Sequence, residues 1–322
     1  MQIETDWVGK WYQLARERGD NVWFSFGEIK AGAAGGGHTV TWHDYSHEKV
    51  DGLGALMQYM DKTGWEFEAR DFITHPLPKW AHWLSVLKGA YKAQASRKVK
   101  WNSLYGSQEV KQKPHELVWH IFSEGQTQSL HKKTKLLKVS LNSYLLTNFS
   151  NILAEQFVLE QNPFTWLVPV NLRGAILRKD FCSNHTSGLA IELTKGMRPQ
   201  AVHGKIKQQL SGRNHLGVWL GLNIGRIIGL SGMRKIANRT IKKSHWMGTF
   251  TNLGVLPAKN RENKIDGLIV TPPGTANYPI GIGCMEYQGK LCISLKIHPS
   301  VCCRFDMVKE VFDKIIGQIL AV

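Results

Sequence analysis

The sequence predicts an α/β fold for this chain of 322 residues. Segments with the alternating pattern of strands and segments with the apolar spacing of helices follow one another, which is typical of sheets flanked by helices. The hydrophobic share of 43% and the 12 tryptophans indicate a globular protein. The length is enough for two lobes, each with its own core.

Helices are predicted at residues 7–18 and 53–60, from 141 to just before Pro163, and at 199–210. A last helix has one apolar stripe, formed by Phe305, Val308, Val311, Phe312, Ile315, Ile316 and Ile319. Strands are predicted near residues 22–26, 39–43, 166–170, 189–193, 248–255 and 278–297.

Three segments have weaker patterns. The glycine-rich segment 32–37 matches no phosphate-binding pattern and is interpreted as a turn. Residues 66–135, with a candidate amphipathic helix at 80–91, are interpreted as a connecting region or a membrane-facing element. Residues 217–233 are dotted with glycines and receive no assignment.

The cysteines and the N-terminus predict a soluble, cytoplasmic protein. The five cysteines show neither C-x-x-C spacing nor a disulfide framework, so we expect a reducing compartment and no metal site. Residues 1–6 are acidic and resemble no secretory signal. The longest apolar stretch, 216–230, is shorter than the ~20 residues of a spanning helix. Peripheral contact with a membrane stays open.

The net charge of +16 indicates an anionic partner. Basic clusters lie at residues 88–100, 132–138 and 234–243. Because no nucleic-acid-binding signature accompanies them, we expect no nucleic acid; the phosphates of coenzyme A, an acidic carrier protein or an anionic membrane surface fit better. A solvated basic face is the alternative interpretation of each cluster.

The pattern His-x-x-x-Asp-Gly, at His47, Asp51 and Gly52, follows a predicted strand and precedes a predicted helix. A histidine at a strand end is well placed to act as a general base, and Asp-Gly is turn chemistry that can orient the ring. The pattern has an echo near the C-terminus, where a strand, His298, Val301 and an amphipathic helix recur with Cys302 and Cys303 in place of Asp-Gly. We interpret this echo as a degenerate duplication of one lobe.

Four stretches in order give the chain a resemblance to a known superfamily. They are residues 47–52 (HEKVDG), 167–173 (LVPVNLR), 248–254 (GTFTNLG) and the strand pair 278–299. Over about residues 38–320 the chain resembles the chloramphenicol acetyltransferase-like superfamily, which includes condensation domains of non-ribosomal peptide synthetases, alcohol acyltransferases and wax ester/diacylglycerol acyltransferases.

The resemblance implies two acetyltransferase-like lobes, each a mixed sheet flanked by helices, with a tunnel between them. We expect a shortened N-terminal lobe at residues 1–165 and a C-terminal lobe at 166–322. Two departures stand out: Ser46 occupies the place of the first histidine in the His-His-x-x-x-Asp-Gly form, and only 46 residues precede His47.

The resemblance also implies the role of each site residue. His47 would be the general base, and Thr251 or Asn252 would donate to the oxyanion. Asp51, beside Gly52, would pair with Arg173 and hold the turn without taking part in proton transfer.

The predicted function is acyl transfer from a coenzyme A or carrier-protein thioester to a hydroxyl or amine of a small molecule or lipid. The thioester is a co-substrate; no bound cofactor is expected, and residues that contact it are not identified. The alternative is a catalytically silent, condensation-like docking protein. The shortened N-terminal lobe favours it, whereas the presence of both His47 and Asp51 opposes it.

Overall fold

The computed structural model describes residues 6–31, 38–65, 87, 99–102, 104–107, 112–159, 163–173, 181–243, 246–256 and 265–321, with the backbone alone for 240–243. The predicted turn at 32–37 and, apart from Leu87, the predicted helix at 80–91 lie outside these residues.

Helices and strands are interspersed along the described chain. In order they are α1 (Trp7–Glu17), β1 (Trp23–Ala31), β2 (His38–Ser46), α2 (Gly52–Lys62), β3 (Val118–Ile121), α3 (Glu124–Leu136), α4 (Leu141–Phe157), β4 (Phe164–Asn171), β5 (Thr186–Leu193), α5 (Pro199–Ser211), α6 (Asn214–Leu222), α7 (Gly225–Lys243), β6 (Gly248–Val255), β7 (Gly267–Thr271), β8 (Ile280–Tyr287), β9 (Lys290–Ile297) and α8 (Phe305–Leu320). The predicted α/β class is confirmed.

The smaller sheet has the strand order β2-β1-β7, and both pairings are antiparallel. One face of β1 carries Phe24 and Phe26, which join a buried cluster with Tyr59 and other residues of α2. Because side chains alternate along a strand, Ser25 and Ile29 point to the opposite face. Ile29 packs there with Cys292 of β9, so the second sheet covers this face.

The larger sheet is mixed, with the order β3-β9-β8-β6-β4-β5. β4, β6 and β8 run parallel, and the other pairs are antiparallel. Its main core contains Trp166 of β4, Phe149 of α4 and Phe312 of α8, all buried. The helices α4, α5 and α8 thus cover one face of this sheet.

Each of the two sheets contains strands from both halves of the chain. β3 pairs with β9 and α4 packs on the larger sheet, although both precede residue 165. β7 belongs to the second half of the chain but completes the smaller sheet. The reason is that strand pairing is long-range, and the local patterns of β3 and β7 do not encode their partners.

The two sheets approach closely where β7 crosses β8 and β9. The hydroxyl of Ser294 donates to the carbonyl of Val270, and a Cβ on Gly283 would lie 1.9 Å from that same oxygen. Only glycine therefore fits at position 283.

Most predicted elements agree with the structure, with three differences. β3, α3 and β7 had no predicted counterpart, and the glycine-dotted segment 217–233 is helical within α6 and α7. Phe305, expected on the buried stripe of the last helix, is 44% exposed because it lies in the first turn, beyond the edge of the core.

Candidate active site

His47 follows the last residue of β2 and begins a tight turn. Its backbone N–H donates to the carbonyl of Val22 at 3.0 Å. The N–H groups of Lys49 and Val50 both donate to the carbonyl of Ser46, at 2.9 and 3.2 Å. The backbone on both sides of His47 is therefore held by hydrogen bonds, and α2 begins at Gly52.

The imidazole of His47 is enclosed by aromatic rings. Tyr12 of α1 stacks on it with ring centroids 3.9 Å apart and planes 12° apart, and Phe24 meets it edge-on at 6.1 Å. The side chain is 9% exposed, and its Nδ1 has no hydrogen-bond partner among the residues that the structure describes. Burial lowers the pKa of His47, partly opposed by the negative charge of Asp51. A lowered pKa favours the neutral imidazole, which is the form of histidine that can accept a proton.

Asp51 is fully buried and accepts five hydrogen bonds. It is the N-cap of α2 and accepts from the N–H of Gly54 at 2.7 Å. Arg173 contributes two bonds, at 2.9 and 3.1 Å, and the N–H of His185 and the hydroxyl of Thr186 add bonds of 2.8 and 2.7 Å. Burial alone would raise the pKa of Asp51, but Arg173 and the other donors outweigh it, and the pKa is lowered.

The Arg173 guanidinium is also fully buried, and its N–H groups donate to acceptors in the surrounding protein. Besides Asp51, it donates to the carbonyls of Phe181 and Ser183, at 2.8 and 3.2 Å, and to the side chain of Asn171 at 3.1 Å. Asp51 starts the helix on the smaller sheet, and Arg173 follows β4 of the larger one. The ion pair therefore joins the His47 turn to the larger sheet.

Two glycines allow the turn to pack tightly. A Cβ on Gly52 would lie 3.0 Å from the Phe24 ring and 3.3 Å from Leu253 of β6. A Cβ on Gly54 would lie 1.9 Å from the carbonyl oxygen of Cys182, which cannot move away easily because it is backbone. Glycine is therefore required more strictly at position 54 than at position 52. The residue that imposes this requirement, Cys182, is distant in the sequence.

Asn184 and Asp6 also belong to the site, although the sequence predicts a site role for neither. The side-chain amide of Asn184 donates to the carbonyl of His47 at 3.2 Å and to Asp6 at 2.8 Å. Asp6 is the N-cap of α1, and a Cβ on Gly9 would lie 1.9 Å from the carbonyl oxygen of Glu48. These contacts hold α1 against the His47 turn and place Tyr12 over the ring. No local pattern indicates them, because Asn184 lies 178 residues from Asp6.

Thr251 and Asn252, the two candidate oxyanion donors, lie on opposite faces of β6. Phe250 belongs to the core shared with α4, and Asn252 donates to Asn142 of α4 at 2.6 Å, so both point to that side. The Asn252 oxygen accepts from the N–H of Gly254 at 2.8 Å. Because side chains alternate, Thr251, which is 7% exposed, points away from α4.

The echo turn at His298 has a different environment. Nδ1 of His298 lies 2.8 Å from the hydroxyl of Ser300 and accepts from the N–H of Ser300 at 3.1 Å. Burial lowers the pKa of His298. Val301 and Cys302 are buried, and α8 begins at Phe305.

Within the described ranges, no group of three or more His, Cys, Asp or Glu side chains is placed to hold a metal ion. The cysteines described there, which include all five of the chain, form no disulfide.

No protein-family model matches the chain, and no curated protein sequence matches it. Solved structures do match. Polyketide synthase associated protein 5 from Mycobacterium tuberculosis aligns with a TM-score of 0.57 at 13% identity, over 91% of this chain and 76% of that protein.

Two further structures agree with this match. The cyclization-docking bidomain of a non-ribosomal peptide synthetase from Sorangium cellulosum aligns with a TM-score of 0.54 at 11% identity, over 88% of this chain and 60% of that one. The wax ester synthase/diacylglycerol acyltransferase from Marinobacter aquaeolei aligns with a TM-score of 0.50 at 10% identity, over 92% and 71%. Together with the two sheets and their helices, these alignments show that the chain has the chloramphenicol acetyltransferase-like fold.

Proposed function

We propose that this protein transfers an acyl group from a thioester to a hydroxyl or amine, with His47 as the general base. The observation that carries the proposal is the placement of His47, a buried imidazole stacked on Tyr12 at a turn that the Asp51–Arg173 ion pair fixes. The fold, shared with acyltransferases and condensation domains, supports the reaction class.

In the proposed reaction, His47 takes the proton of the acceptor hydroxyl or amine as its oxygen or nitrogen attacks the thioester carbonyl. The tetrahedral intermediate then collapses, the carbon–sulfur bond breaks, and the protonated imidazole returns its proton to the leaving thiolate. Because burial lowers the pKa of His47, the neutral imidazole is available for the first step without a further proton acceptor. Positioned acid–base help of this kind is worth about 10²–10⁴ in rate.

Thr251 is the better candidate of the two for oxyanion stabilisation. Its side chain points away from α4, whereas both polar groups of Asn252 are engaged with Asn142 and Gly254. A hydroxyl donor at the developing oxyanion typically contributes about 10²–10³ in rate.

Asp51 has a positioning role and takes no part in proton transfer. Its carboxylate accepts five hydrogen bonds, and its pKa is lowered. A carboxylate in this state holds the turn that carries His47 and is a poor proton acceptor. Arg173 and Gly52 share this positioning role.

The thioester donor is coenzyme A or an acyl carrier protein, and it acts as a co-substrate. The basic excess of the chain suits the phosphates of coenzyme A and an acidic carrier equally well. The acceptor is a small molecule or a lipid with a hydroxyl or amine.

The test is thiol release from a panel of acyl thioesters with and without acceptors. We expect His47→Ala to lower the transfer rate by a factor of about 10²–10⁴. The variant should still unfold cooperatively, as the parent does. His298→Ala is the matched control, since it removes a partly buried histidine from the corresponding turn and should leave transfer unchanged. Equal rates in a folded His47→Ala variant and the parent would rule out this mechanism.

A catalytically silent docking protein is the second candidate, and one observation favours it. Tyr12 stacks on His47 and leaves it 9% exposed, so the ring is covered by α1. This candidate predicts thioester binding without turnover in the parent and in a Tyr12→Ala variant. The acyltransferase predicts turnover in at least one of them.

A further inference from the structure

The helical corner formed by α6 and α7, residues 214–239, packs on α1 through its inner side. Met233 and Ala237 of α7 are buried against Leu14 of α1. The indole N–H of Trp11 donates to the carbonyl of Leu222 at 2.8 Å. A Cβ on Gly225 would lie 2.3 Å from the Trp7 ring, so the bend between the helices fits closely over α1.

The outer side of this corner presents aliphatic side chains to solvent at the bend. Ile227 is 87% exposed and Ile228 is 36% exposed. Directly after them Gly229 has φ 64° and ψ 179°, a conformation that favours glycine and breaks α7. Ile227 is therefore open to solvent at the break, whereas Ile228 lies against Gly232 of the next turn and is exposed in part.

Basic side chains follow on the outer face of α7. Lys235 and Arg239, four residues apart, are both exposed and lie opposite the buried pair Met233 and Ala237. Arg234, beside them, pairs with Glu17 of α1 at 2.9 Å. The exposed isoleucines at the break are thus followed along α7 by a basic helix face.

The corner lies in a stretch of the chain without acidic residues. Residues 193–261 contain 13 lysines and arginines and no aspartate or glutamate, whereas the whole chain carries a net charge of +16. Most of the basic excess therefore belongs to this stretch. The cluster at 132–138 is smaller, with four lysines, of which Lys133 donates to the carbonyl of Ala321 and lies over the Tyr144 ring.

Length and composition also distinguish the corner. Within the described part of the chain, no single helix is long and apolar enough to cross a membrane, but α6 together with Gly225–Arg239 of α7 passes that test as a pair bent by 73°. The bend and the inner face packed on α1 favour a segment that lies on a bilayer over one that spans it.

We propose that the α6–α7 corner docks the protein on an anionic lipid bilayer, with Ile227 and Ile228 inserted among the acyl chains and Lys235 and Arg239 at the headgroups. Aliphatic side chains beside basic ones on one helical surface are the combination that binds such interfaces. An acidic protein surface would use the charges but would gain little from a projecting isoleucine. The proposal does not depend on acyl transfer, because its readout is binding.

The test is co-sedimentation of the full chain with vesicles of phosphatidylcholine containing phosphatidylglycerol, compared with vesicles of phosphatidylcholine alone. We expect binding to the anionic vesicles that weakens as salt is added. Ile227→Asn should weaken it more than tenfold, because one inserted aliphatic side chain is lost. Leu104→Asn is the matched control, since Leu104 is 82% exposed and lies outside the corner.

The charges are tested by Lys235→Glu with Arg239→Glu. We expect at least a 25-fold loss of vesicle binding, about fivefold for each charge at the surface. Lys309→Glu with Lys314→Glu makes the same charge change on the exposed face of α8 and should reduce binding much less. Thermal unfolding of each variant verifies that the fold is retained.

Three results would overturn the proposal. The first is no binding of the parent to anionic vesicles. The second is an equal effect of Ile227→Asn and Leu104→Asn, which would assign the corner to an acidic protein or another polyanion. The third is an equal effect of the two charge reversals, which would mean that net charge alone governs binding.

Discussion

The turns at His47 and His298 follow the same order of strand, histidine, valine and helix, yet their histidines are held differently. Nδ1 of His298 lies 2.8 Å from the hydroxyl of Ser300, two residues on. Nδ1 of His47 has no such partner in the described part of the chain, and its ring is fixed by stacking on Tyr12.

The helices after the two turns also begin differently. Asp51 caps α2 and anchors it to Arg173, so the helix starts five residues after His47. At the corresponding position stands the buried Cys302, and the N-cap residue of α8, Arg304, makes no side-chain capping bond within the described residues. The first turn thus carries a charged network and the second an apolar one.

The presence of a buried ion pair at one turn and its absence from the described residues of the other suggest different requirements on the two histidines. A buried ion pair with five hydrogen bonds contributes modestly to net stability relative to an apolar core, but it holds one geometry and is costly to break. Such a network suits a turn that must aim a side chain. A turn without such a network suits a position that only packs.

The largest expected effect comes from breaking the Asp51–Arg173 pair. Asp51→Ala and Arg173→Ala should each lower the free energy of unfolding by about 3–5 kcal/mol, because each leaves a buried group without its partner. The double variant should lose less than the sum, since the two side chains share one interaction. Urea denaturation of the four proteins measures both quantities.

The corresponding change in the second turn is Cys302→Ala, which removes a buried sulfur and no charge. It should cost about 1 kcal/mol. Additive losses at Asp51 and Arg173, or a loss at Cys302 as large as at Asp51, would show that the two turns do not differ in this way.

Much of this arrangement could be predicted from the sequence, because it is local. The alternating residues of β2, the turn residues Asp51 and Gly52, and the apolar periodicity of α4 and α8 each indicate their element without tertiary information. The pairing of Asp51 with Arg173 was implied only by the resemblance, because no local pattern relates two residues that lie 122 positions apart.

The rest could not be predicted because it depends on contacts between distant segments. The placement of Tyr12 over His47 depends on Asn184, which joins the cap of α1 to the turn. The short strand β7 has no distinctive pattern and gains its place from pairing with β1. Gly54 is required by the Cys182 carbonyl, and its own neighbours give no sign of that.

A smaller effect is expected from the pH dependence of stability, in which the two turns should behave alike. Burial lowers the pKa of both His47 and His298 in the folded protein. Below the unfolded value of about 6.5, the unfolded chain binds these protons more readily, so stability is lost as the pH falls through and below 6.5. His47→Gln and His298→Gln should each flatten this loss in denaturation curves recorded across that range.

Transfer activity should respond to only one of the two histidines. The acid limb of kcat/KM should lie below pH 6.5, where His47 becomes protonated, and should be unchanged in His298→Gln. An acid limb that moves in His298→Gln would show that the second histidine influences the reacting proton and that the assignment of roles to the two turns is mistaken.

The smallest expected effect is that of Ser300→Ala, which removes the hydroxyl next to Nδ1 of His298. One neutral hydrogen bond contributes about 0.5–1.5 kcal/mol to folding, and the N–H of Ser300 still donates to the ring, so we expect a loss within that range and no change in transfer rate.

Asn184→Ala makes the comparable change beside His47. Because it also frees the α1 cap, it should cost more stability and alter the transfer rate. Paired denaturation and thiol-release measurements on the two variants decide the matter: if Ser300→Ala slows transfer as much as Asn184→Ala does, the two turns are coupled and the second one does more than pack.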